Sequence, residues 1–254
     1  YRDIQMRTGG EIYIGVVGPV RTGKSTFIKR FMDLMVLPCM KDVSDRERTI
    51  DELPQSAQGK TIMTTEPKFV PNNAATIAFD DGFTVKVRLV DCVGFVIPEA
   101  KGYKDENGMR MVRTPWYDEA IPFNEAAKTG TQKVIQDHST IGIVITTDGS
   151  IADLPRDSYI EAEAEVIDEL TQIGKPFIII VNSKDPSSIQ CRSVVDKLKE
   201  KTQVPVLPMA VNRLDENDIH ALLREALYEF PVSEINVQMP KWVSVLSDEH
   251  WLKQ

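Results

Sequence analysis

Gly18-Pro19-Val20-Arg21-Thr22-Gly23-Lys24-Ser25 is the stretch that decides how this chain is read. It matches G-x-x-x-x-G-K-[ST] and lies between a strand-like apolar run, 12–17, and residues at helical spacing: Phe27, Ile28, Phe31, Leu34 and Met35. In that setting the backbone N–H groups of the loop and the first helical turn point at a β-phosphate, and the helix dipole favours negative charge there. Gly18 and Gly23 allow a close approach that a side chain blocks. Lys24 is expected to bridge the β- and γ-phosphates and Ser25 to hold Mg²⁺, while Arg21, Thr22 and Thr26 belong to the expected nucleotide-binding set. The expected ligand is a nucleoside triphosphate with Mg²⁺.

Downstream, Asp91-Cys92-Val93-Gly94 follows a strand-like segment directly. Asp91 has the position of the acid that holds the Mg²⁺ shell, and the Gly94 N–H is placed to bond a γ-phosphate. Between the two motifs lies Gly59-Lys60-Thr61-Ile62-Met63-Thr64-Thr65-Glu66-Pro67. A threonine here completes the Mg²⁺ shell only while a γ-phosphate is present, and Thr64 and Thr65 are best placed for it. The expected catalytic set is Lys24, Thr64, Thr65 and Asp91, and the expected metal ligands are Ser25, Thr65 and Asp91. Phe95 stands where such sites commonly carry a glutamine that orients water, so hydrolysis uses another group or is slow.

The base site is less determined. Asn182-Ser183-Lys184-Asp185 follows the most apolar strand of the chain, where guanine-binding loops carry N-K-x-D. Asn182 and Asp185 are in place as base-site residues, but Ser183 replaces the lysine. The residues alone leave ATP and GTP both open.

Strand-like and helical segments alternate along the rest of the chain. Strands are expected at 74–79 and 84–90, joined at Asp80-Asp81-Gly82, and at 141–145, 177–181 and 204–209. Helices are expected at 125–137, at 159–173 behind a Ser158 cap, and at 188–202 and 215–229. In the second of these Ile160, Val166, Ile167, Leu170 and Ile173 form the expected apolar face. Residues 39–60 read as a loop or a poorly formed helix, and about 95–124 as an insertion with little regular structure. The implied fold is α/β, a P-loop NTPase with a mostly parallel sheet, helices on both faces and one antiparallel edge strand. A domain over 1–230 and the start of a linker or following domain over 231–254, with Trp242 and Trp251, complete the division.

Among the 254 residues, 38 acids against 30 bases give a net charge of −8, which disfavours a nucleic-acid binder. Cys39, Cys92 and Cys191 stand far apart without a pairing pattern, as in a reducing, cytoplasmic setting, and Cys92 reads as a small buried residue. No apolar run is long enough to span a bilayer, and the opening Tyr1 reads as a trimmed start. His138 reads as a capping or packing residue, and Glu161, Glu163, Glu165, Asp168 and Glu169 as a solvated helix face. Trp116 and Tyr117 serve either as partner contacts or as a seal of the insertion onto the core.

At this level of detail the chain resembles the stage IV sporulation protein A family of endospore-forming bacteria. The likeness rests on Gly10-Glu-Ile-Tyr-Ile-Gly-Val-Val-Gly-Pro-Val-Arg-Thr-Gly-Lys-Ser-Thr26, Asp51-Glu-Leu-Pro-Gln-Ser-Ala57 and Gly59-Lys-Thr-Ile-Met-Thr-Thr-Glu-Pro-Lys-Phe69. It continues in Arg88-Leu-Val-Asp-Cys-Val-Gly94, Thr114-Pro-Trp-Tyr117, His138-Ser-Thr-Ile-Gly142 and Glu225-Ala-Leu-Tyr-Glu-Phe-Pro231. The resemblance implies a domain related to translation-factor-type GTPases that hydrolyses ATP, with Lys24, Asp91, Thr64 and Thr65 in the roles given above. It implies that hydrolysis drives self-assembly into a polymer, the basement layer of the spore coat at the outer forespore membrane of the mother cell. The partners it implies are further copies of the chain, other coat morphogenetic proteins and a small amphipathic membrane-bound coat peptide, the membrane itself being contacted only indirectly. The family is longer, so the chain reads as a fragment expected to keep nucleotide binding. The competing readings are a GTP-dependent switch and a scaffold that binds nucleotide without turnover.

Overall fold

β-Branched residues fill the segments that become the central sheet, and their alternation decides which face of the sheet each one packs. The computed structural model describes residues 11–40, 42–54, 68–78, 84–92, 94–97, 104–105, 108–114 and 117–229. β1 (Glu11–Val17) runs into the glycine-containing loop and α1 (Lys24–Phe31), which continues as a π-type turn at Met32–Val36 and a 3₁₀ turn at Leu37–Cys39. β2 (Lys68–Ala78) and β3 (Thr84–Asp91) follow, then β8 (Ile141–Thr147), β9 (Phe177–Asn182) and β10 (Val206–Met209) after the short strands of the insertion. The sheet order is β10-β9-β8-β1-β3-β2, parallel except for the antiparallel edge strand β2.

α3 (Phe123–His138), α4 (Asp157–Ile173), α5 (Ile189–Lys201) and α6 (Glu216–Tyr228) cover the sheet. Along β1, Ile12, Ile14 and Val16 join Phe27, Ile28 and Phe31 of α1 and Ile219 and Leu222 of α6 in one core. Val17, one position out of phase, joins Phe123 and Val134 of α3, Tyr159 and Leu170 of α4 and Val194 of α5 on the other face. A two-residue side-chain period against helices on both faces produces this division. Every residue of β8 and β9 is buried, and complete burial of one such aliphatic side chain stabilises by roughly 1.5–3 kcal/mol.

Several expectations are corrected. The stretch 39–60 contains a ten-residue helix, α2 (Val43–Glu52), capped by Asp42, whose side chain accepts from the Asp45 N–H at 3.0 Å. Apart from buried Thr49 its residues are mostly exposed, so it has no apolar stripe for periodicity to detect. The first strand of the antiparallel pair starts at Lys68, with an irregularity between Val70 and Ala75. The insertion contains two small antiparallel pairs: β4 (Lys104–Asp105) with β5 (Gly108–Met109), and β6 (Met111–Thr114) with β7 (Tyr117–Pro122). Val112 and Thr114 face inward, which gives the second pair its side to bury.

Ser158 does not cap α4. The helix already begins at Asp157, and Ser158 is buried with no hydrogen-bond partner for Oγ among the described residues. Tyr159 is the inward residue there, while Ile160 is 41% exposed. Nor is the acidic set a uniformly solvated face. Glu161, Glu165 and Asp168 are exposed, but Glu163 is buried against Arg156 (2.6 Å) and Thr146, and Glu169 pairs with Lys128 at 2.6 Å. His138 packs edge-on against Phe69, with centroids 5.4 Å apart. Tyr117 is 48% exposed. The Asp80-Asp81-Gly82 turn, Trp116, and 231–254 with its two tryptophans lie outside the described residues. No helix among the described residues is long and apolar enough to cross a membrane.

Candidate functional site

Four segments meet at the C-terminal ends of the parallel strands: the loop after β1, the turn after β3, the loop after β8 and the turn after β9. Crevices at that edge are where open α/β sheets bind ligands. The loop 18–23 bends away from β1 because Gly18 takes φ 137°; a β-carbon there would lie 2.3 Å from the Ile145 carbonyl oxygen. Inside the loop the Thr22 hydroxyl donates to the Pro19 carbonyl at 2.9 Å. Lys24, the first residue of α1, curls back so that Nζ donates to the carbonyls of Gly18 (3.1 Å) and Pro19 (2.7 Å). These bonds shape a ring of backbone with the ammonium held at its mouth.

Ser25 and Asp91 are 66 residues apart in sequence, yet the Ser25 hydroxyl donates to Asp91 Oδ2 at 3.1 Å. The parallel pairing of β1 with β3 makes this contact, because Val16 is in register with Asp91 and both strands end at the same level. A hydroxyl and a carboxylate side by side are hard oxygen donors suited to Mg²⁺, which takes few protein ligands and keeps its phosphates and waters. Burial pulls the Lys24 ammonium down to about 8, opposed by the nearby Asp91 carboxylate. Burial likewise pushes Asp91 up, opposed by Lys24 and by the Ser25 hydrogen bond. Both shifts have one cause: two charges desolvated in a pocket whose chemistry calls for an anion and a cation. Cys92 is a buried thiol raised well above its ordinary range by the same desolvation.

Gly94 sits against the loop. A β-carbon on it would fall 2.6 Å from Lys24 Nζ and 2.8 Å from Val20 Cα. Next to it, Phe95 is buried and its backbone is sewn to the loop: Val20 N–H donates to the Phe95 carbonyl at 2.9 Å, and Phe95 N–H to the Gly18 carbonyl at 3.1 Å. No residue pattern signals this seam. Thr64 and Thr65 lie outside the described residues. Thr26 follows, half-buried, in the first turn of α1, and Arg21 is exposed with φ 63°.

At the other end of the crevice Asn182 serves as a clamp. Its side-chain N–H donates to the Thr22 carbonyl at 2.9 Å and its Oδ1 accepts from Val211 N–H at 3.1 Å, so it joins the phosphate loop to the turn after β10. Ser183 turns inward, donating to Asp148 Oδ2 at 2.6 Å, and Asp148 Oδ1 accepts from both the N–H and the hydroxyl of Ser150. Ser150 Oγ in turn accepts from Lys184 N–H at 3.0 Å, and the Gln190 amide donates to the Asp148 carbonyl at 2.7 Å. Asp185 is exposed, with Oδ1 engaged by the N–H and hydroxyl of Ser187; these bonds hold its carboxyl below the usual range. Asp148, Ser150 and Gln190 were not found by sequence reasoning. The available signal was the polar run Thr146-Thr147-Asp148-Gly149-Ser150 closing an apolar strand at the ligand edge.

Comparison with known proteins shows the family to which the chain is similar. The family model described as "Stage IV sporulation protein A, ATPase domain" matches residues 1–231. Stage IV sporulation protein A of Bacillus subtilis (strain 168) is 60% identical over 254 residues, covering 100% of this chain and 52% of that protein. The protein of the same name in Clostridioides difficile (strain 630) is 50% identical over 253 residues with the same 52% coverage. The chain thus spans about half the length of the curated relatives it matches. Among solved structures, translation elongation factor SelB from Methanococcus maripaludis, in its apo form, is matched with a TM-score of 0.46 and 12% identity over 86% of this chain and 33% of that one. With a family model spanning residues 1–231 and alignments over the whole of this chain at 50–60% identity, the chain belongs to the stage IV sporulation protein A family, as its ATPase domain.

Proposed function

We propose that this chain binds Mg·ATP and hydrolyses it, and that hydrolysis drives self-assembly into the polymer that forms the basement layer of the bacterial spore coat. The observation that carries the nucleotide reading is the convergence of Lys24, Ser25 and Asp91 at the end of β1 and β3. Lys24 offers a desolvated ammonium to the β- and γ-phosphates, and the N–H groups opening α1 offer further donors. Ser25 and Asp91 would hold Mg²⁺, with Thr65 completing its shell; the ion supplies charge to the phosphate oxygens. Phe95 offers no polar group to water, so the water-orienting role falls to Thr64 or Thr65, and turnover is slow.

Adenine is favoured by what the base turn lacks. Ser183 is spent on Asp148, so no lysine stem lies against the base. One oxygen of Asp185 is already occupied by Ser187, which weakens the paired acceptor that guanine requires. Assembly, the coat layer, the forespore membrane location and partners such as other coat morphogenetic proteins and an amphipathic membrane peptide are read from family membership and belong to the whole protein. The test is phosphate release by the purified chain with Mg·ATP and with Mg·GTP in parallel. Turnover of ATP alone supports the proposal. Turnover of GTP alone sinks the choice of base and favours a GTP switch, and tight binding with no release favours a scaffold.

A further inference from the structure

Arg21 is the one residue other than glycine with positive φ among the described residues. At φ 63° an arginine pays backbone strain that a glycine would avoid. Strain of this kind persists where a side chain is needed, and the side chain here is an exposed cation on the phosphate loop. Its guanidinium has no hydrogen-bond or ion-pair partner among the described residues. Salt bridging among the described residues therefore does not explain it.

Its place in the loop does. Thr22, the next residue, receives the Asn182 amide at 2.9 Å, and this bond ties the phosphate loop to the turn 182–185. A purine whose phosphates lie in the loop reaches that turn across the same junction. On the turn side, polar groups are committed to one another: Ser183 to Asp148, Lys184 N–H to Ser150, and Arg213 to the Lys184 carbonyl. With Ser183 turned inward, the turn offers no side-chain stem at that position to lie on the base. A guanidinium is flat, weakly hydrated and stacks on aromatic rings, whereas an ammonium does not stack.

We propose that Arg21 is the base-stacking residue of this site, its guanidinium lying on the face of the purine in place of the lysine stem missing at Ser183. The proposal rests on the nucleotide reading above. It makes Arg21 a specificity-independent affinity residue, since every purine has a stacking face, and leaves the choice between adenine and guanine to the turn.

The test is equilibrium binding, measured by calorimetry on this chain, of Mg·ATP and of inorganic tripolyphosphate with Mg²⁺, for wild type, Arg21→Ala and Arg21→Lys. The expected result is an approximately tenfold loss of ATP affinity in both variants, the worth of one stacked base. Tripolyphosphate affinity stays within about twofold of wild type in R21A, which also shows that the loop is folded. A parallel loss for tripolyphosphate would make Arg21 a phosphate contact and overturn the proposal. Full restoration of ATP affinity by lysine would reduce the effect to charge and overturn it as well, and unchanged ATP affinity in R21A would remove Arg21 from the site. If wild type bound neither ligand, the nucleotide reading itself would fall, an outcome distinct from all of these.

Discussion

The phosphate end and the base end of the crevice lie on the same sheet edge but are built from different materials. The phosphate end is mostly backbone: the carbonyls of Gly18 and Pro19 hold Lys24, and the main chain of Phe95 holds the main chain of Val20. The end proposed for the base is mostly side chain, with Asn182, Ser183, Asp148, Ser150 and Gln190 bonded to one another or to nearby backbone. Backbone donors do not change when residues change, so phosphate recognition is written once in the loop pattern. A side-chain network can exchange one member and alter the ligand it accepts. The difference teaches that the two ends answer to different constraints, the loop to its backbone and the Asn182 end to its side chains.

Lys24→Ala attacks the phosphate end where it depends on a side chain after all. ATP affinity is expected to fall about a thousandfold, about 4 kcal/mol, because a desolvated charge contact is lost while the rest of the loop remains. Retained affinity by calorimetry would show that backbone alone suffices. Asn182→Ala acts on the joint between the two ends. It strands the buried Thr22 carbonyl and Val211 N–H, and the chain is expected to lose about 2–4 kcal/mol of unfolding free energy in a urea titration. A loss below about 1 kcal/mol would mean the two ends are independent units.

Ser183→Ala removes one bond to a buried carboxylate, Asp148 being 1% exposed. The expected loss is about 1.5 kcal/mol in unfolding free energy with tripolyphosphate affinity unchanged, since the phosphate end does not share that network. The smallest effect is with pH. Burial lowers Lys24 from its ordinary 10.5 to about 8, so above pH 8 the free protein holds this lysine neutral and must take up a proton to bind a triphosphate. Affinity is expected to fall by up to tenfold per pH unit above 8 and to be flat below it. In the ligand-free protein the sign reverses. The unfolded chain keeps its proton up to 10.5, so the destabilisation from burying this charge is full below pH 8 and is relieved as pH rises from 8 to 10.5. Proton uptake measured in buffers of different ionisation enthalpy checks the first statement, and Lys24→Ala should abolish it.

Local signals located the secondary structure where it has a period. The strands at 141–145 and 177–181 lie within Ile141–Thr147 and Phe177–Asn182, and the helix expected at 125–137 spans Phe123–His138. They failed where it has none. α2 is held by the Asp42 cap and short-range polar bonds, which leave no apolar stripe. In α4 the apolar pattern points to Ile160 as an inward residue, although Tyr159 holds that place. The rotation of a helix is set by the helix and sheet it packs on, and hydrophobicity alone does not choose between neighbours.

By itself the sequence determined a phosphate loop with its lysine and serine, an acid at the end of a second strand, and a doubly covered parallel sheet. These are consequences of residue order, since the loop pattern and the two-residue and helical periods act over a few positions. Only the tertiary structure decided that Ser25 touches Asp91, that Phe95 is stitched to Val20, that Asn182 clamps the loop, and that Ser183 turns to Asp148. Each of these joins residues from separate strands, and the register and packing of the sheet fix their distances. A chain read in one dimension carries no measure of that register.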